Sequence, residues 1–134
     1  MPHVSEIRVR YADTDQMGVV YHANYLIWCE IGRTDYMRSL GTCYAEIERG
    51  GTLLAVVDAQ LRYARAARYD EVVRVVTRVR DVRSRAVTFA YEILNVDGTK
   101  LVTASTALMP IDRDGRRTVL PPPLRLALES AIES

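Results

Sequence analysis

The sequence predicts an α+β fold in which one long helix lies on a curled antiparallel sheet. The first observation is the element order, with one strand, one long helix and then at least four consecutive strands. Consecutive strands usually pair antiparallel, and Asp97-Gly98 between two of them is a hairpin signal. A further observation is the length and composition of the chain, because 134 residues with 49% apolar and 26% charged side chains suit a single hydrophobic core. We therefore predict one domain over residues 1–134.

The N-terminal part predicts a strand, a polar loop and the long helix. Residues 6–11 alternate as Glu-Ile-Arg-Val-Arg-Tyr, which is typical of a half-buried strand. Residues 12–18 are rich in Asp and Thr and end on a glycine, which indicates a loop. Residues 23–40 carry apolar side chains at helical spacing and precede Gly41, a suitable helix stop.

Two features of this helix have structural consequences. Its first half, Tyr25 to Cys29, is apolar on nearly every side, which predicts burial on more than one face. Gly32 lies in the middle of the helix, where glycine costs about 1 kcal/mol relative to alanine. This glycine either permits a close approach to the sheet or is simply tolerated.

The rest of the chain predicts strands between two short helices. A short helix is expected over residues 44–48, before Gly50-Gly51. Valine, threonine and aromatic residues predict strands over residues 53–63, 72–82, 87–94 and 101–111. A small C-terminal helix is expected over residues 124–132.

Composition excludes several classes of protein. No apolar run approaches 18 residues, so we expect no membrane span, and the N-terminus lacks the pattern of a secretory signal. A net charge of +1 gives no reason to expect a nucleic-acid partner. Cys29 and Cys43 are too few for a disulfide framework and lack metal-ligand spacing with His3 or His22. We therefore predict a cytoplasmic protein without a metal.

The densest polar signal lies just ahead of the long helix, over residues 13–25. It holds Asp13, Asp15, Gly18 and His22 within ten residues. A helix N-terminus offers unpaired N–H groups and a partial positive charge, which suit a developing oxyanion. A nearby carboxylate could act as base or nucleophile in acyl transfer. On residues alone, the pattern fits loop capping as well as catalysis.

The run RVRYADTDQMGVVYHANYLIWCEIGRTDYMRSLG resembles the N-terminal signature of the hotdog-fold acyl-CoA thioesterases. It is similar to 4-hydroxybenzoyl-CoA thioesterase and to the Tol-Pal-associated bacterial thioesterases. The runs LRYARAARYDEVVRVVTRV and GRRTVLPPPLR resemble later parts of the same family. The resemblance covers nearly the whole chain, and its core is the motif T-D-x-x-G-V-V-x-x-x-x-Y. It implies a single hotdog fold that hydrolyses an acyl-CoA to free acid and coenzyme A without a cofactor.

The resemblance also implies a role for individual residues. Asp15 takes the position of the catalytic carboxylate, acting as nucleophile or by activating water. The backbone N–H of His22 takes the position of the oxyanion donor, while its imidazole either orients water or substrate or only lines the pocket. Gly18 and Tyr25 are assigned to substrate binding, with Gly18 supplying a backbone conformation closed to other residues. Asp13 is expected to support the loop.

Arg83 and Arg85 are the residues that the resemblance assigns to the coenzyme A phosphates. Arginine suits bidentate phosphate binding, although a solvated surface turn explains the same residues. Arg65 and Arg68 are weaker candidates, and Ala66 stands where relatives usually have proline. Homo-oligomers are also implied, as dimers with joined sheets, often assembled into tetramers, with each active site at a subunit boundary.

Other functions remain open at this point. An Asp-x-Asp pair could hold magnesium in a phosphotransferase, although the antiparallel pattern speaks against such a fold. A hotdog protein could also bind acyl-CoA without cleaving it, or hydrate an enoyl thioester. Cys29 could be a nucleophile, but its apolar helix favours a core position.

Overall fold

The computed structural model describes residues 1–133 and confirms the α+β class. One antiparallel sheet of five strands packs one face against a long helix. The strands are β1 His3–Arg8, β2 Leu53–Tyr63, β3 Val72–Arg83, β4 Ala86–Asn95 and β5 Lys100–Ile111. The helices are α1 Asn24–Ser39, α2 Tyr44–Arg49 and α3 Pro122–Glu133, and Tyr11–Asp13 form a 3-10 turn. The strand order is β1-β3-β4-β5-β2, so β1 and β2 are the edges.

The core lies between α1 and the inner face of the sheet. Along β3, β4 and β5, alternate side chains are buried, as expected for a sheet that is covered on one face. The largest fully buried side chains of this core include Tyr25, Met37, Phe89, Tyr91 and Ile93. This packing fixes the N-terminus of α1 above one end of the sheet.

At Gly32, α1 lies against β3 with no room for a side chain. A Cβ atom at Gly32 would lie 2.5 Å from Thr77 Oγ1 and 2.9 Å from Val75 Cγ1. Both distances are shorter than van der Waals contact, so a side chain here would push the helix off β3. The close-approach explanation of this glycine is therefore the correct one.

The first strand lies nearer the N-terminus than the predicted residues 6–11. It ends at Arg8, because the Asp13 carboxylate accepts a hydrogen bond from the Arg10 backbone N–H at 2.8 Å and turns the chain. Tyr11–Asp13 form the resulting 3-10 turn. The alternation of apolar and polar residues continues to Tyr11, but the hydrogen bond between Arg10 and Asp13 ends the strand earlier, at Arg8.

The prediction that α1 is buried on more than one face is wrong for the single chain. Leu26 and Ile31 are each 38% exposed and Ile27 is 53% exposed. The sheet covers only the opposite side of the helix, through Tyr25, Trp28 and Cys29. An apolar strip on α1 therefore remains uncovered in one subunit.

The edge strand β2 contains a bulge that decides which way its side chains point. Leu54 pairs with Pro110 and Tyr63 with Val102, and the register shifts between Val56 and Asp58. Without a bulge, residues nine apart on a strand would point to opposite faces. Since Pro110 and Val102 are eight apart and both buried, Leu54 and Tyr63 both point toward the α1 side.

Candidate active site

The loop before α1 is a tight turn built around Asp15. The Asp15 N–H donates to the Val19 carbonyl at 2.9 Å, and the Gly18 N–H donates to the Asp15 carbonyl at 3.0 Å. Gly18 has φ +79°, a left-handed conformation that glycine adopts without strain. The expected left-handed backbone is present at Gly18, and the assignment of Gly18 to substrate binding stays a prediction.

The same turn orients the Asp15 carboxylate. Its Oδ1 accepts a hydrogen bond from the Met17 N–H at 2.8 Å. The other oxygen, Oδ2, has no hydrogen-bond partner among residues 1–133, and the side chain is partly exposed. One oxygen therefore holds the carboxylate in place while the other stays available.

The entrance of α1 leaves several backbone N–H groups without an acceptor in the described structure, and that of His22 is one of them. Asp13 fixes this entrance, because its carbonyl accepts from the Tyr21 N–H at 2.9 Å and from Asn24 Nδ2 at 2.8 Å. No side chain caps the helix. The His22 N–H finds no acceptor in the described part of the chain, whereas its carbonyl accepts from the Tyr63 hydroxyl at 3.1 Å.

Asp15, His22 and Tyr25 line one surface cavity of about 300 Å³. Its other walls are Met17, Val19, Val20, Tyr63, Ala64, Arg65 and Ala66. Gly18 is not part of the wall, although both its neighbours are. Tyr25 is buried and its hydroxyl accepts from the Ala67 N–H at 3.0 Å. Burial raises the pKa of Tyr25, so its hydroxyl stays neutral.

Sequence reasoning did not identify Tyr63 as a site residue. Its ring packs edge-on against His22 and Tyr25, with centroid distances of 6.5 and 5.7 Å. Arg65, two residues further on, lines the same cavity and forms no ion pair with a described residue. Tyr63 lies in the run LRYARAARY, whose resemblance to the family was the only sequence signal for it, and Arg65 in the same run was a weaker candidate for the coenzyme A phosphates.

Asp13 lies outside the cavity and is almost fully buried, with 4% exposure. Burial alone would raise the pKa of Asp13, but hydrogen bonds from the Arg10 side chain and N–H outweigh it and lower that pKa. Its Oδ1 accepts from Arg10 Nη2 at 3.0 Å. The Asp13 carboxylate is thus used to hold Arg10 and the turn in place, which agrees with the expected supporting role.

Arg83 and Arg85 lie far from the cavity within one chain. They belong to the β3–β4 turn, and Arg83 pairs with Asp81 at 3.0 Å. The cavity lies near the opposite end of β3, where Val19 bridges to Arg68. Twelve strand residues span about 40 Å, so the two arginines cannot reach a ligand in their own chain's cavity.

Cys29 is a core residue, as its helix position predicts. Its side chain is fully buried, and burial raises the pKa of the thiol to about 12. A thiol in this state holds its proton at neutral pH and is a poor nucleophile.

The described residues contain no cluster of three His, Cys, Asp or Glu side chains placed to hold a metal ion. Among them, no helix has both the length and the apolar character to cross a membrane. Catalysis without a cofactor stays a prediction.

The fold and the site define the class of protein. Residues 9–128 match the model of the thioesterase-like superfamily, and the chain belongs to that family. It is 40% identical over 119 residues to a Bacillus subtilis protein named as an acyl-CoA thioesterase, YneP, covering 87% of this chain and 86% of the relative.

Two further relatives have a named substrate. The structure is similar to a DHNA-CoA thioesterase from Staphylococcus aureus, with a TM-score of 0.93, 36% identity and coverage of 96% of this chain and 89% of that one. A 1,4-dihydroxy-2-naphthoyl-CoA hydrolase of Thermosynechococcus vestitus is 29% identical over 127 residues, covering 93% of this chain and 87% of the relative. The predicted hotdog thioesterase fold is thereby confirmed.

Proposed function

We propose that this chain hydrolyses acyl-CoA thioesters, with Asp15 as the reacting carboxylate and the His22 N–H as the oxyanion donor. One observation carries the proposal. A carboxylate oxygen and a backbone N–H, both without partners among the described residues, belong to residues that line the same cavity. Acyl transfer needs this pair of groups.

The chemistry follows from the two groups. The thioester carbonyl oxygen accepts a hydrogen bond from the His22 N–H, which stabilises negative charge as the carbonyl carbon becomes tetrahedral. Asp15 either attacks that carbon, giving an anhydride that water cleaves, or removes a proton from the attacking water. In both routes the C–S bond breaks, and the coenzyme A thiolate leaves and takes up a proton. Both routes require Asp15 to be ionised.

The names of two relatives suggest an aromatic acyl group. Both are named for 1,4-dihydroxy-2-naphthoyl-CoA, an aromatic thioester. We infer that aromatic acyl-CoA substrates are the first candidates for this chain. The aromatic wall formed by His22, Tyr25 and Tyr63 supports this, because aromatic rings stack on one another.

We further propose that the working unit is a homo-oligomer in which two β2 edges pair. The exposed edge strand and the uncovered strip on α1 support this, since open edges and apolar patches are usually covered. Antiparallel pairing about a two-fold axis places the Leu53 end of one β2 beside the Tyr63 end of the other. The β3–β4 turn lies at the Leu53 end, so Arg83 and Arg85 would serve the second subunit's site.

The cytosol is the compartment we propose. Cys29 and Cys43 are both free thiols, which is the usual state of cysteine in reducing compartments.

The substitution Asp15→Asn tests the proposed function. Asn has nearly the same shape but is neither an effective base nor a nucleophile, so kcat should fall by at least ~10²-fold, with little change in KM. The measurement is thiol release from a panel of short, long and aromatic acyl-CoA substrates. Asp114→Asn, in a surface turn, is the matched control and should keep full activity.

The same experiment separates the alternatives. An active Asp15→Asn enzyme would contradict the assignment of Asp15. A wild-type protein that binds acyl-CoA without releasing thiol would instead be a non-catalytic binding protein, and water addition to an enoyl-CoA would identify a hydratase. Activity lost with a chelator would favour a metal-dependent reaction.

A further inference from the structure

A second polar site lies beneath α1, away from the Asp15 cavity. Arg33 is half-buried and donates to the buried Tyr91 hydroxyl at 3.5 Å, and Tyr91 shares a 2.7 Å hydrogen bond with Thr106. A guanidinium has five N–H donors, and this long contact is its only hydrogen bond in the described structure. No carboxylate of the described residues forms an ion pair with Arg33. Arg33 is therefore an under-satisfied cation.

Arg33 faces a cavity of about 250 Å³ that has mixed chemistry. Its apolar walls come from Met37, Leu54 and Leu108. Its polar groups belong to Glu30, Arg33, Thr34 and Tyr44. Glu30 is the one carboxylate in this wall, and it forms no ion pair with Arg33. A cavity whose apolar walls adjoin a cation without an ion-pair partner suits an apolar group that ends in an oxygen.

The edge strand β2 connects the two cavities. Leu54, at one end of β2, lines the Arg33 cavity, and Tyr63, at the other end, lines the Asp15 cavity. Because of the bulge near Val57, both side chains point to the α1 side. In one chain, β2 separates the two ends by about 30 Å. When two copies pair through antiparallel β2 strands close to full overlap, the Leu54 end of one meets the Tyr63 end of the other.

We propose that Arg33 of one subunit recognises an oxygen substituent, a hydroxyl or a carboxylate, on the acyl group whose thioester lies at Asp15 of the partner subunit. This inference rests on the proposed function and extends it to selectivity. Arg33 donates to the substituent, and Tyr91, held by Thr106, keeps the guanidinium in place. Arg33 is thus a specificity-determining residue for the far end of the acyl group.

Matched substrates measure this selectivity. Benzoyl-CoA and hexanoyl-CoA are each compared with the derivative that carries a terminal hydroxyl and the one that carries a terminal carboxylate. The wild-type enzyme should prefer an oxygenated form, and the hydroxyl and carboxylate arms show which oxygen it recognises. In Arg33→Met the ratio of kcat/KM for the oxygenated over the plain substrate should fall about 10- to 100-fold, the usual effect of losing a charged hydrogen bond.

Arg38→Met is the matched control for this ratio. Arg38 is on the same helix but is exposed and already pairs with Asp35 at 3.0 Å. Its substitution should leave the ratio unchanged. A fall of the same size in both variants would mean that Arg33 acts only through the stability of α1.

A mixed dimer tests the contribution of the second subunit. Asp15→Asn and Arg33→Met chains carry different tags, are co-expressed, and their heterodimer is purified. If the site spans two subunits, one site of the heterodimer combines Asp15 and Arg33 and restores the wild-type ratio. If the site lies within one chain, the only sites with Asp15 also carry Met at position 33, and the ratio stays low.

Each outcome decides a separate point. A wild-type enzyme that hydrolyses the plain substrates without preferring an oxygenated form would overturn the Arg33 proposal and leave the thioesterase proposal standing. A lowered ratio that the heterodimer does not restore would overturn the two-subunit arrangement. Absence of hydrolysis of every thioester would contradict the proposed function itself.

Discussion

Asp13 and Asp15 are two positions apart, yet the structure gives them opposite environments. In an extended segment both side chains would point the same way. The 3-10 turn at Tyr11–Asp13 breaks this relation, so that Asp13 is buried against Arg10 while Asp15 lines the cavity. The local hydrogen bond therefore separates a structural carboxylate from one that is free to react.

Asp13→Asn should lower stability more than activity. Its folded-state pKa lies below the unfolded value of about 4, so ionised Asp13 stabilises the fold above that pH. This contribution disappears as the pH falls through the lower, folded-state pKa. The melting temperature of Asp13→Asn should thus lie below that of the wild type at pH 7, and the difference should shrink below about pH 4.

Thermal melts of both proteins between pH 3 and pH 8 measure this effect. Thiol release from one acyl-CoA, assayed in parallel, should fall less than in Asp15→Asn. A larger rate loss in Asp13→Asn than in Asp15→Asn, without unfolding, would reverse the two assignments.

Replacing Arg83 and Arg85 by alanine should weaken coenzyme A binding. KM for an acyl-CoA should rise while kcat stays nearly constant, because phosphate contacts act on binding and not on the reacting carbon. An N-acetylcysteamine thioester lacks the nucleotide and should be almost unaffected. Equal losses with both substrates would show that the β3–β4 turn is only structural.

The sequence located Asp15 and His22 because they fall within one short motif. Tyr63 and Arg65 belong to the same cavity but come from the end of β2, and the Tyr63–His22 hydrogen bond joins residues 41 positions apart. No local pattern encodes such a contact, since it depends on how the helix sits on the sheet. The sequence likewise did not distinguish Arg33 from the other arginines, because only the structure shows that it is half-buried.

At the scale of the elements, strands and helices followed their sequence patterns closely. The predicted boundaries of β2 are those of the structure, and α1 differs by one residue at each end. The first strand was misplaced because a side-chain hydrogen bond, not periodicity, ends it. The sequence therefore predicts where a strand or helix ends when the hydrophobic pattern ends there, but not when a single side-chain contact ends it.

Gly32→Ala should destabilise the protein, although alanine is the better helix former. The new methyl group would lie within 3 Å of Thr77 and Val75, and overpacking of this kind costs about 1–3 kcal/mol. We expect a melting temperature lower by about 4–11 °C. Thr77 Oγ1 is itself buried without a hydrogen-bond partner in the described structure.

Substitutions at Thr77 provide the control for this prediction. Thr77→Ala removes the atom nearest to the new methyl group, so the double variant Gly32→Ala/Thr77→Ala should recover part of the lost melting temperature. Thr77→Ser keeps the hydroxyl and should recover none. If Gly32→Ala melts at or above the wild-type temperature, the close packing of α1 on β3 is not what requires glycine.

At the scale of the whole molecule, one subunit leaves two kinds of surface uncovered. The β2 edge carries the exposed Val56 and Val57, and α1 exposes Leu26, Ile27 and Ile31. The apolar sequence of the helix predicted burial on both faces, and a second subunit is the natural cover for the open one. The exposed apolar side chains of α1 therefore support the proposed oligomer.

Light scattering should give a mass of at least twice 15.1 kDa at working concentration. Val57→Lys on the β2 edge should shift the population toward the monomer, because an edge lysine opposes strand pairing. Activity should fall with the dimer fraction if the site spans two subunits. Val119→Lys, at an exposed valine of the segment before α3, should change neither mass nor activity. A wild-type mass of 15.1 kDa would contradict the oligomer.

The bulge in β2 gives the edge strand a parity. A deletion of one residue between Leu54 and Tyr63 could be taken up by loss of the bulge, because residues eight apart on a regular strand point to the same face. An insertion of one residue would instead rotate one half of the strand by half a turn and move either Leu54 or Tyr63 from the α1 side to solvent. The strand should therefore tolerate the loss of one residue better than the gain of one.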